Sequence, residues 1–283
     1  MSPSPQQCSA TRPCASARME NPANKRDMKK FGLIGNPIAH SKSPALFSAG
    51  YHLQGDCREE FRYDLIEAES CAAAMERFSN EGYSGINVTS PFKEEVMSYV
   101  AHPDRVSTLL GAANVVINRP DGLYSYNTDY YGVYNTIAER LTNLKGEALV
   151  IGGGGAGKAA ALALSDLGMQ TTLANRTPAK VAPFCSKIGV NCIELKEIAP
   201  AIERAKVVVY ALMMPIEELQ PDMLRSKILL EANYAHPNYS ISPATEAPYR
   251  YIGGLEWLIN QAIPAFKLFT SLTPDAKAMR ELF

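Results

Sequence analysis

The chain has 283 residues, of which 46% are hydrophobic and 20% charged, and its formal net charge at pH 7 is -1. The length suits two domains of ordinary size, and the composition is typical of a soluble globular protein. The small net charge gives no electrostatic basis for binding nucleic acid or an anionic membrane, and no apolar run approaches the roughly 18 residues of a membrane span.

The cysteines show no pattern of a metal site or of a disulfide framework. None belongs to a CxxC pair, and no histidine lies at a metal-ligand spacing from them. We expect free thiols in a reducing compartment, which predicts a cytoplasmic protein without a bound metal. The six cysteines are Cys8, Cys14, Cys57, Cys71, Cys185 and Cys192.

Residues 1–27 differ in composition from everything that follows. They are rich in Ser, Pro, Ala and Asn, without apolar periodicity and without the apolar segment of a signal peptide. We predict a disordered extension here, with Met28 as a natural start of the folded protein.

The first folded series alternates between strand-like and helix-like segments. Ser43 is a candidate N-cap with Pro44 at the first helical position. A turn sequence at 119–122 lies between two extended runs and predicts a hairpin. The pattern predicts strands at 31–35, 60–65, 84–89, 115–118 and 123–126, and helices from residue 43 and over 69–80.

A hydroxyl and a lysine lie four residues apart where the third strand ends, in Thr89-Ser90-Pro91-Phe92-Lys93. Pro91 suits the first turn of a helix, where its missing N–H costs nothing. An ammonium one helical turn after Thr89 could reach the same ligand, and cleft lysines act in catalysis when their pKa is lowered towards neutrality. The alternative is a surface lysine at an ordinary strand–helix junction.

The second folded series has the rhythm of an open parallel sheet with helices on both faces. The terminal helix carries a core stripe of Leu255, Leu258, Ile259, Ala262, Phe266 and Phe269, and could return to the first domain. The predicted elements are helices at 130–144, 155–167, 178–188 and 255–272, and strands at 148–151, 171–174, 207–212 and 228–232.

The first strand of the second series ends in the pattern GxGxxG, formed by Gly152, Gly154 and Gly157. Glycines permit a tight turn and close backbone approach, and the following helix N-terminus offers N–H groups and partial positive charge to a pyrophosphate. The strand–loop–helix context predicts dinucleotide binding. The loop residues predicted to hold the cofactor are Gly152, Gly153, Gly154, Gly155 and Ala156.

The next strand ends in Ala174-Asn175-Arg176-Thr177, about 20 residues further on, where an NAD site usually has an acid for the ribose hydroxyl. Arg176 stands there instead, with Lys180 one turn later, and a guanidinium can hold a 2′-phosphate bidentately. These residues favour NADP. The alternative is a helix cap with an exposed arginine.

Four polar clusters occur at loop positions that we expect to follow strands. In open α/β sheets such positions converge at the carboxyl ends of the strands, where ligands bind. Paired hydroxyls suit a carboxylate, and Asp129 near Lys93 would form a charge pair in which one group exchanges a proton with a substrate oxygen. Alternatively, the serines are caps, Asn114 is a turn former and Asp129 is an N-cap. The clusters are Ser41 and Ser43, Thr89 and Lys93, Asn114, and Asn127-Thr128-Asp129.

Together these motifs closely resemble the shikimate dehydrogenase family, in family order from residue 31 to the C-terminus. The resemblance implies an N-terminal open α/β substrate domain (28–128 and 254–283) and a Rossmann-like NADP-binding domain (129–253). The matching segments are Gly35-Asn36-Pro37-Ile38-Ala39-His40-Ser41-Lys42-Ser43-Pro44, Asn87-Val88-Thr89 with Pro91-Phe92-Lys93, Gly111-Ala112-Ala113-Asn114, Asn127-Thr128-Asp129, Asn175-Arg176-Thr177, and Gly254 with Gln261.

The resemblance also implies the reaction, which is the reversible NADPH-dependent reduction of 3-dehydroshikimate to shikimate in aromatic amino acid biosynthesis. It implies that Lys93, paired with Asp129, protonates the carbonyl oxygen as hydride arrives. It places Ala232 and Gly254 where the backbone lines the nicotinamide. The implied substrate residues are Ser41 and Ser43 for the carboxylate, Thr89, Asn114, Asp129 and Gln261 for the hydroxyls, Lys93 at the carbonyl oxygen, and Tyr234 nearby. The implied assembly is a monomer or a homodimer.

The sequence departs from the usual family pattern at several positions. Met213 and Met214 occupy a segment usually rich in small residues near NADP. The other departures are Tyr126 and Tyr130 around Asn127-Thr128-Asp129, Glu231 for an aspartate, and Glu256-Trp257 for Gly-Met. Two alternative functions stay open, a quinate or dual-specificity dehydrogenase and a dinucleotide-binding sensor without turnover.

Overall fold

The computed structural model describes residues 28–51, 61–240 and 248–283, so the predicted extension at 1–27 lies outside the described residues. The strands in chain order are β1 (Lys29–Gly35), β2 (Phe61–Glu67), β3 (Tyr83–Val88), β4 (His102–Pro103), β5 (Val115–Arg119), β6 (Gly122–Tyr126), β7 (Glu147–Ile151), β8 (Gln170–Asn175), β9 (Asn191–Glu194), β10 (Ala205–Tyr210), β11 (Ile228–Glu231) and β12 (Arg250–Ile252). The helices are α1 (Ser43–Gly50), α2 (Cys71–Asn80), α3 (Arg105–Leu110), α4 (Asp129–Ala138), α5 (Gly155–Asp166), α6 (Ala182–Ile188), α7 (Ile198–Arg204), α8 (Gly254–Thr270) and α9 (Ala276–Arg280).

The first sheet is mixed and has the strand order β2-β1-β3-β5-β6-β4. β1 pairs in parallel with β2 and β3, whereas β5 is antiparallel to both β3 and β6. The predicted hairpin is confirmed, because β5 and β6 pair directly around the turn at 119–122. Because β5 runs opposite to its two neighbours, it starts at the edge of the sheet where β3 and β6 end.

The second sheet is entirely parallel, with the order β12-β11-β10-β7-β8-β9. The predicted parallel sheet is therefore confirmed for this half of the chain. The strand order reverses at β7, which lies between β10 and β8, and ligands of doubly wound sheets bind at such a switch point. The glycine-rich loop follows β7 directly.

Helix α8 packs against the cores of both sheets. Phe266 and Phe269 lie in the apolar cluster of β1, α1 and β5, whereas Trp257 lies in the cluster formed by α4, α5 and the second sheet. Of the predicted stripe, Ile259, Ala262, Phe266 and Phe269 are buried, but Leu255 and Leu258 are only partly buried. The division into domains at 128/129 and 253/254 stays a prediction.

Several predicted element bounds were wrong. Residues 90–94 form a turn before a 3-10 helix at Glu95–Tyr99, because the amide of Phe92 donates to the carbonyl of Thr89 (3.0 Å) and closes a turn rather than a helix. Ser43 is the first residue of α1 and not its N-cap, which is Lys42. Helix α4 ends at Ala138 rather than 144.

Other elements lack a strong periodic signal and were missed. The helix predicted at 178–188 is divided into a 3-10 turn at Pro178–Lys180 and α6, because a second proline early in α6 has no N–H to continue the first turn. The missed elements are β4, α3, β9, α7, β12 and α9.

No helix of the described residues is long and apolar enough to cross a membrane.

Candidate active site

A cavity of about 720 Å³ lies between the facing edges of the two sheets. Three residues predicted for the cofactor, Ala156, Ala232 and Gly254, line it from the second sheet and α8. The structure thus brings together groups from loops far apart in the chain. All eight residues predicted for the substrate also line it: Ser41, Ser43, Thr89, Lys93, Asn114, Asp129, Tyr234 and Gln261.

The register of the first sheet explains this convergence. Asn114 precedes β5 rather than following a strand, which corrects the sequence-based expectation. Because β5 is antiparallel, Val115 lies opposite both Asn87 of β3 and Tyr126 of β6. Asn114 and the segment after β6 therefore meet at the edge where β3 ends.

Lys93 and Asp129 form an ion pair in this cavity, with 2.5 Å between Lys93 Nζ and Asp129 Oδ2. Their side chains are 27% and 14% exposed, so both are partly shielded while remaining open to a ligand. The carbonyl of Lys93 accepts a hydrogen bond from the Ala113 amide (2.8 Å), which fixes the turn to the start of β5. Asp129 is not the N-cap of α4, which is Thr128, but its first residue, where a negative charge is favoured by the helix dipole.

Asn114 holds the other oxygen of the Asp129 carboxylate. Its Nδ2 lies 3.1 Å from Asp129 Oδ1, 3.0 Å from Thr128 Oγ1 and 3.2 Å from Gln261 Oε1. An amide nitrogen has only two hydrogens, so these three acceptors compete for it. Its Oδ1 accepts from the Thr128 amide (2.6 Å), which locks the side chain at the helix start.

Two potential donors in the cavity are free for a ligand. The Thr89 methyl lies over Gly35, where an added Cβ would be 2.4 Å from Thr89 Cγ2. In the part of the chain that the structure describes, neither the Thr89 hydroxyl nor Gln261 Nε2 has a hydrogen-bond partner, although Gln261 Oε1 accepts from Thr128 Oγ1 (3.0 Å). Both groups can therefore bind hydroxyls of a ring.

Asn87 is a cavity residue that the site prediction missed. Its Nδ2 donates to the Asn114 carbonyl (3.2 Å), and its Oδ1 accepts from the Tyr63 hydroxyl (2.8 Å). Burial raises the pKa of Tyr63 above its ordinary value, against a smaller opposing effect of a hydrogen bond with Ser43, so the phenol stays a neutral donor. An asparagine among the buried apolar residues of β3 was the signal in the sequence.

The two serines lie at the start of α1. Ser41 Oγ accepts from the Ser43 amide (3.2 Å), and both side chains are partly exposed to the cavity. Lys42, between them, also lines the cavity. The Lys42 ammonium lies over the Phe283 ring, 4.0 Å from its centroid. The two hydroxyls and the helix N-terminus are therefore the groups that suit a carboxylate.

The glycine-rich loop has the space that a dinucleotide pyrophosphate requires. Gly152 has a φ of 105°, and a Cβ on Gly157 would lie 1.7 Å from the Gly152 carbonyl oxygen, so both must be glycine. Cβ atoms on Gly154 and Gly155 would meet nothing within 4 Å. The first amides of α5 have no intrahelical acceptor, so they point partial positive charge into this open space. These residues fit the predicted cofactor.

The segment after β8 borders the same loop. Asn175 Oδ1 accepts from the Gly153 amide (3.2 Å) and its Nδ2 donates to the Thr177 carbonyl (2.9 Å), so Asn175 braces the two loops. Arg176, Thr177 and Lys180 are exposed. Among the described residues neither basic side chain has an ion-pair partner, which leaves both cations available for a phosphate. None of these four lines the cavity, and neither do the four glycines at 152–155.

Glu231 holds the loop that carries Ala232 and Tyr234. Its carboxylate is fully buried and accepts from the Asn238 amide (2.5 Å), the Tyr239 amide (3.1 Å) and the Tyr251 hydroxyl (3.0 Å). This set of neutral donors replaces the counterion that a buried charge otherwise requires. Glu231, which stands where the family usually has an aspartate, therefore still holds this loop in place.

Met213 and Met214 present their side chains to solvent at the carboxyl end of β10. They are 69% and 72% exposed, while their carbonyls accept from Asn233 Nδ2 (3.3 Å) and the Tyr210 hydroxyl (2.5 Å). The backbone is therefore fixed and the two thioethers remain at the surface.

Comparison with known proteins gives a consistent result over most of the chain. Residues 33–116 match the family model described as shikimate dehydrogenase substrate binding domain, and residues 136–229 match the model described as shikimate / quinate 5-dehydrogenase. The NADP(+) shikimate dehydrogenase of Halobacterium salinarum is 34% identical over 263 residues, covering 89% of this chain and 97% of the relative.

Solved structures are similar over the same extent. A shikimate 5-dehydrogenase from Thermus thermophilus in complex with NADP(H) and shikimate has a TM-score of 0.78 at 27% identity, covering 90% of this chain and 98% of the other. A quinate dehydrogenase from Corynebacterium glutamicum in complex with NAD has the same TM-score, identity and coverage.

Proposed function

Because the chain belongs to the shikimate dehydrogenase family, we propose that the cavity is its active site and that Lys93 and Asp129 are its acid–base pair. The protein is an NADP-dependent oxidoreductase that reversibly reduces 3-dehydroshikimate to shikimate in aromatic amino acid biosynthesis. The observation that carries the assignment of residues is the Lys93–Asp129 ion pair inside a cavity lined by every predicted substrate group.

Binding of the substrate uses opposite walls of the cavity. Ser41 and Ser43, at the start of α1, hold the carboxylate. Thr89 and Gln261 bind ring hydroxyls through the groups that have no partner within the described chain. Asn114 shares its Nδ2 hydrogens among oxygen acceptors, so a substrate hydroxyl can replace one of them.

The cofactor site is the glycine-rich loop with the segment after β8. The open space at Gly154 and Gly155 takes the pyrophosphate, and Arg176 with Lys180 takes the 2′-phosphate. Ala232 and Gly254 line the nicotinamide end of the cavity. When bound, NADPH supplies the hydride that reduces the carbonyl carbon.

Lys93 moves the proton. In reduction its ammonium donates a proton to the carbonyl oxygen, which becomes the hydroxyl of the product. Asp129, 2.5 Å from Nζ, orients the ammonium beforehand and keeps it aimed into the cavity. In the reverse direction the neutral amine accepts the hydroxyl proton. Proton transfer by a positioned side chain contributes about 10² to 10⁴ in rate.

Quinate is the alternative substrate. The fold similarity to a quinate dehydrogenase is as high as that to a shikimate dehydrogenase, so overall fold does not separate the two. Arg176 has no ion-pair partner within the described ranges, and its segment contains no acid, which favours NADP over NAD. A sensor without turnover would not require a shielded Lys93–Asp129 pair.

The assay that tests the function follows NADPH or NADH absorbance with shikimate or quinate, each tried with NADP and NAD. We expect the highest kcat/KM with shikimate and NADP. A preference for quinate would move the assignment to the alternative dehydrogenase. Absence of turnover in all four combinations would favour the sensor.

Assembly and location are proposals of the same kind. One chain supplies every group of the proposed active site, so a monomer or a homodimer would serve equally. A cytoplasmic location suits a biosynthetic dehydrogenase, and Cys71, Cys185 and Cys192 are free thiols. Light scattering of the purified protein and cell fractionation test the two statements.

A further inference from the structure

Trp257 connects helix α8 to Asp129. It is the single tryptophan of the chain and lies in the first turns of α8, 5% exposed. Its indole Nε1 donates a hydrogen bond to the backbone carbonyl of Asp129 (3.1 Å). The residue also lines the cavity, on the same helix as Gly254 and Gln261.

Helix α4 is shaped to accept this indole. At Gly132, one turn after Asp129, an added Cβ would lie 2.4 Å from Trp257 Cδ1 and 2.8 Å from Nε1. Glycine is disfavoured in the interior of a helix, so its presence there needs a reason. The close approach of the indole supplies it.

The hydrogen bond from Trp257 adds a fourth contact that holds Asp129 in place. The Asp129 amide donates to Asn127 Oδ1 (3.2 Å), and the Asp129 carboxylate is held by Lys93 and Asn114. Those three partners belong to loops of the first sheet. Trp257 belongs to α8 and lies in the apolar cluster of α4, α5 and the second sheet.

We propose that Trp257 is a positioning residue for the Lys93–Asp129 pair, holding the first residue of α4 so that the carboxylate stays aimed at the ammonium. This inference rests on the proposed function of the cavity. A displacement of about 1 Å in a reacting group can cost about 10²-fold in rate, so one lost hydrogen bond at this position is measurable. The competing interpretation is that Trp257 is only a core residue.

The test is Trp257→Phe, which keeps an aromatic ring and removes the N–H donor. We expect kcat with shikimate and NADP to fall about tenfold, with KM for shikimate within about twofold. The solvent deuterium isotope effect on kcat should rise, because proton transfer becomes more rate-limiting. Phe266→Leu is the matched control, since Phe266 is fully buried on the same helix and lies in the other core. It should lower Tm and leave both kinetic readouts unchanged.

Unchanged kcat and isotope effect in Trp257→Phe, whatever its Tm, would leave Trp257 as a core residue and overturn the proposal. If this variant does not fold, the single indole N–H resonance of the otherwise native protein provides a second test. It should shift in Lys93→Met, which releases Asp129, and stay in place in Arg176→Ala. No shift in Lys93→Met would contradict the link. This measurement needs no turnover, so it separates failure of the positioning role from failure of the proposed function.

Discussion

Lys93 differs from an ordinary surface lysine in its surroundings. Its ammonium is paired with Asp129, and the Asp129 carboxylate is itself held by Asn114, so the charge is directed rather than free to move. The lysine and the aspartate lie 36 positions apart in the chain. A shielded pair at the end of a sheet is an arrangement suited to proton transfer.

Lys93→Ala should therefore lower kcat by about 10² to 10⁴ while KM for shikimate changes little, because proton transfer acts in the transition state. Steady-state kinetics with shikimate and NADP measures both quantities. Lys187→Ala is the control, since Lys187 is an exposed lysine that donates to the Thr108 carbonyl away from the cavity. Near-normal turnover of Lys93→Ala would show that the proton comes from another group.

Arg176 is the residue that we propose to discriminate between the two cofactors. It is exposed and has no ion-pair partner among the described residues, so its charge is available to a 2′-phosphate. A hydrogen bond to a charged group contributes about 1.5–3 kcal/mol, so Arg176→Ala should raise KM for NADP roughly 10- to 100-fold. KM for NAD should stay nearly the same. An equal rise in KM for both cofactors would contradict a 2′-phosphate site at Arg176.

At the scale of elements, the β7–loop–α5 unit contains glycines with two different functions. Gly157 allows α5 to pack on the loop, whereas Gly154 leaves space in front of the helix. We expect Gly157→Ala to lower Tm and to abolish NADP binding, because its methyl would lie 1.7 Å from a backbone oxygen. Gly154→Ala should keep Tm and only weaken NADP binding. Thermal unfolding and cofactor titration distinguish the two, and equal Tm losses would contradict this division.

The hairpin of β5 and β6 is the element that brings the proposed catalytic groups together. Its two extended runs and turn residues predicted the pair of strands, but not that β5 would lie antiparallel beside β3. That neighbour relation puts Asn114 beside Asp129. Periodicity describes which face of a strand is buried, and it does not specify the partner strand.

At the scale of the whole molecule, three helices are joined by one polar cluster. Asp166 of α5 accepts two hydrogen bonds from Arg105 of α3 (2.8 and 3.0 Å) and one from Tyr130 of α4 (2.9 Å). The hydrogen bonds from Arg105, and to a smaller extent from Tyr130, hold the pKa of Asp166 below its usual value against the opposing effect of partial burial. The departure at Tyr130 thus ties α4, directly after Asp129, to α5.

The lowered pKa of Asp166 determines how the stability of the fold changes with pH. A carboxyl whose folded pKa is depressed stabilises the fold above its unfolded pKa, about 3.9, and this contribution disappears as pH falls through the folded pKa. Asp166→Asn should therefore lower Tm at pH 7 by a few degrees at most, because Arg105 is largely exposed and such pairs contribute about 1 kcal/mol or less.

The difference in Tm between Asp166→Asn and the unmodified protein should shrink below about pH 4. Asp222→Asn is the control, since its ion pair with Arg225 is longer (3.6 Å) and almost fully exposed. A Tm difference that is the same at pH 3 and pH 7 would contradict the role of the Asp166 charge.

The sequence by itself determined the chemistry that is local to a few consecutive residues. The sequence alone predicted three features: the glycine-rich loop after β7, the basic segment at Arg176 and the polar residues at strand ends. It could do so because backbone space, charge and hydrogen-bonding groups are properties of the residues themselves. The family pattern then assigned these groups to one reaction. The mistakes were also local, as at Pro91, where one turn hydrogen bond replaced a helix.

Only the tertiary structure decided which distant residues touch Asp129. Asn114 reaches it through the register of β5, and Trp257 reaches it because α8 returns across both cores, 128 positions along the chain. The physical reason is that a hydrogen bond depends on distances of a few tenths of an ångström between groups whose spacing is set by sheet order and helix packing. Hydrophobic periodicity leaves those relations open, so the contacts that hold the Asp129 carboxylate became visible only in the folded chain.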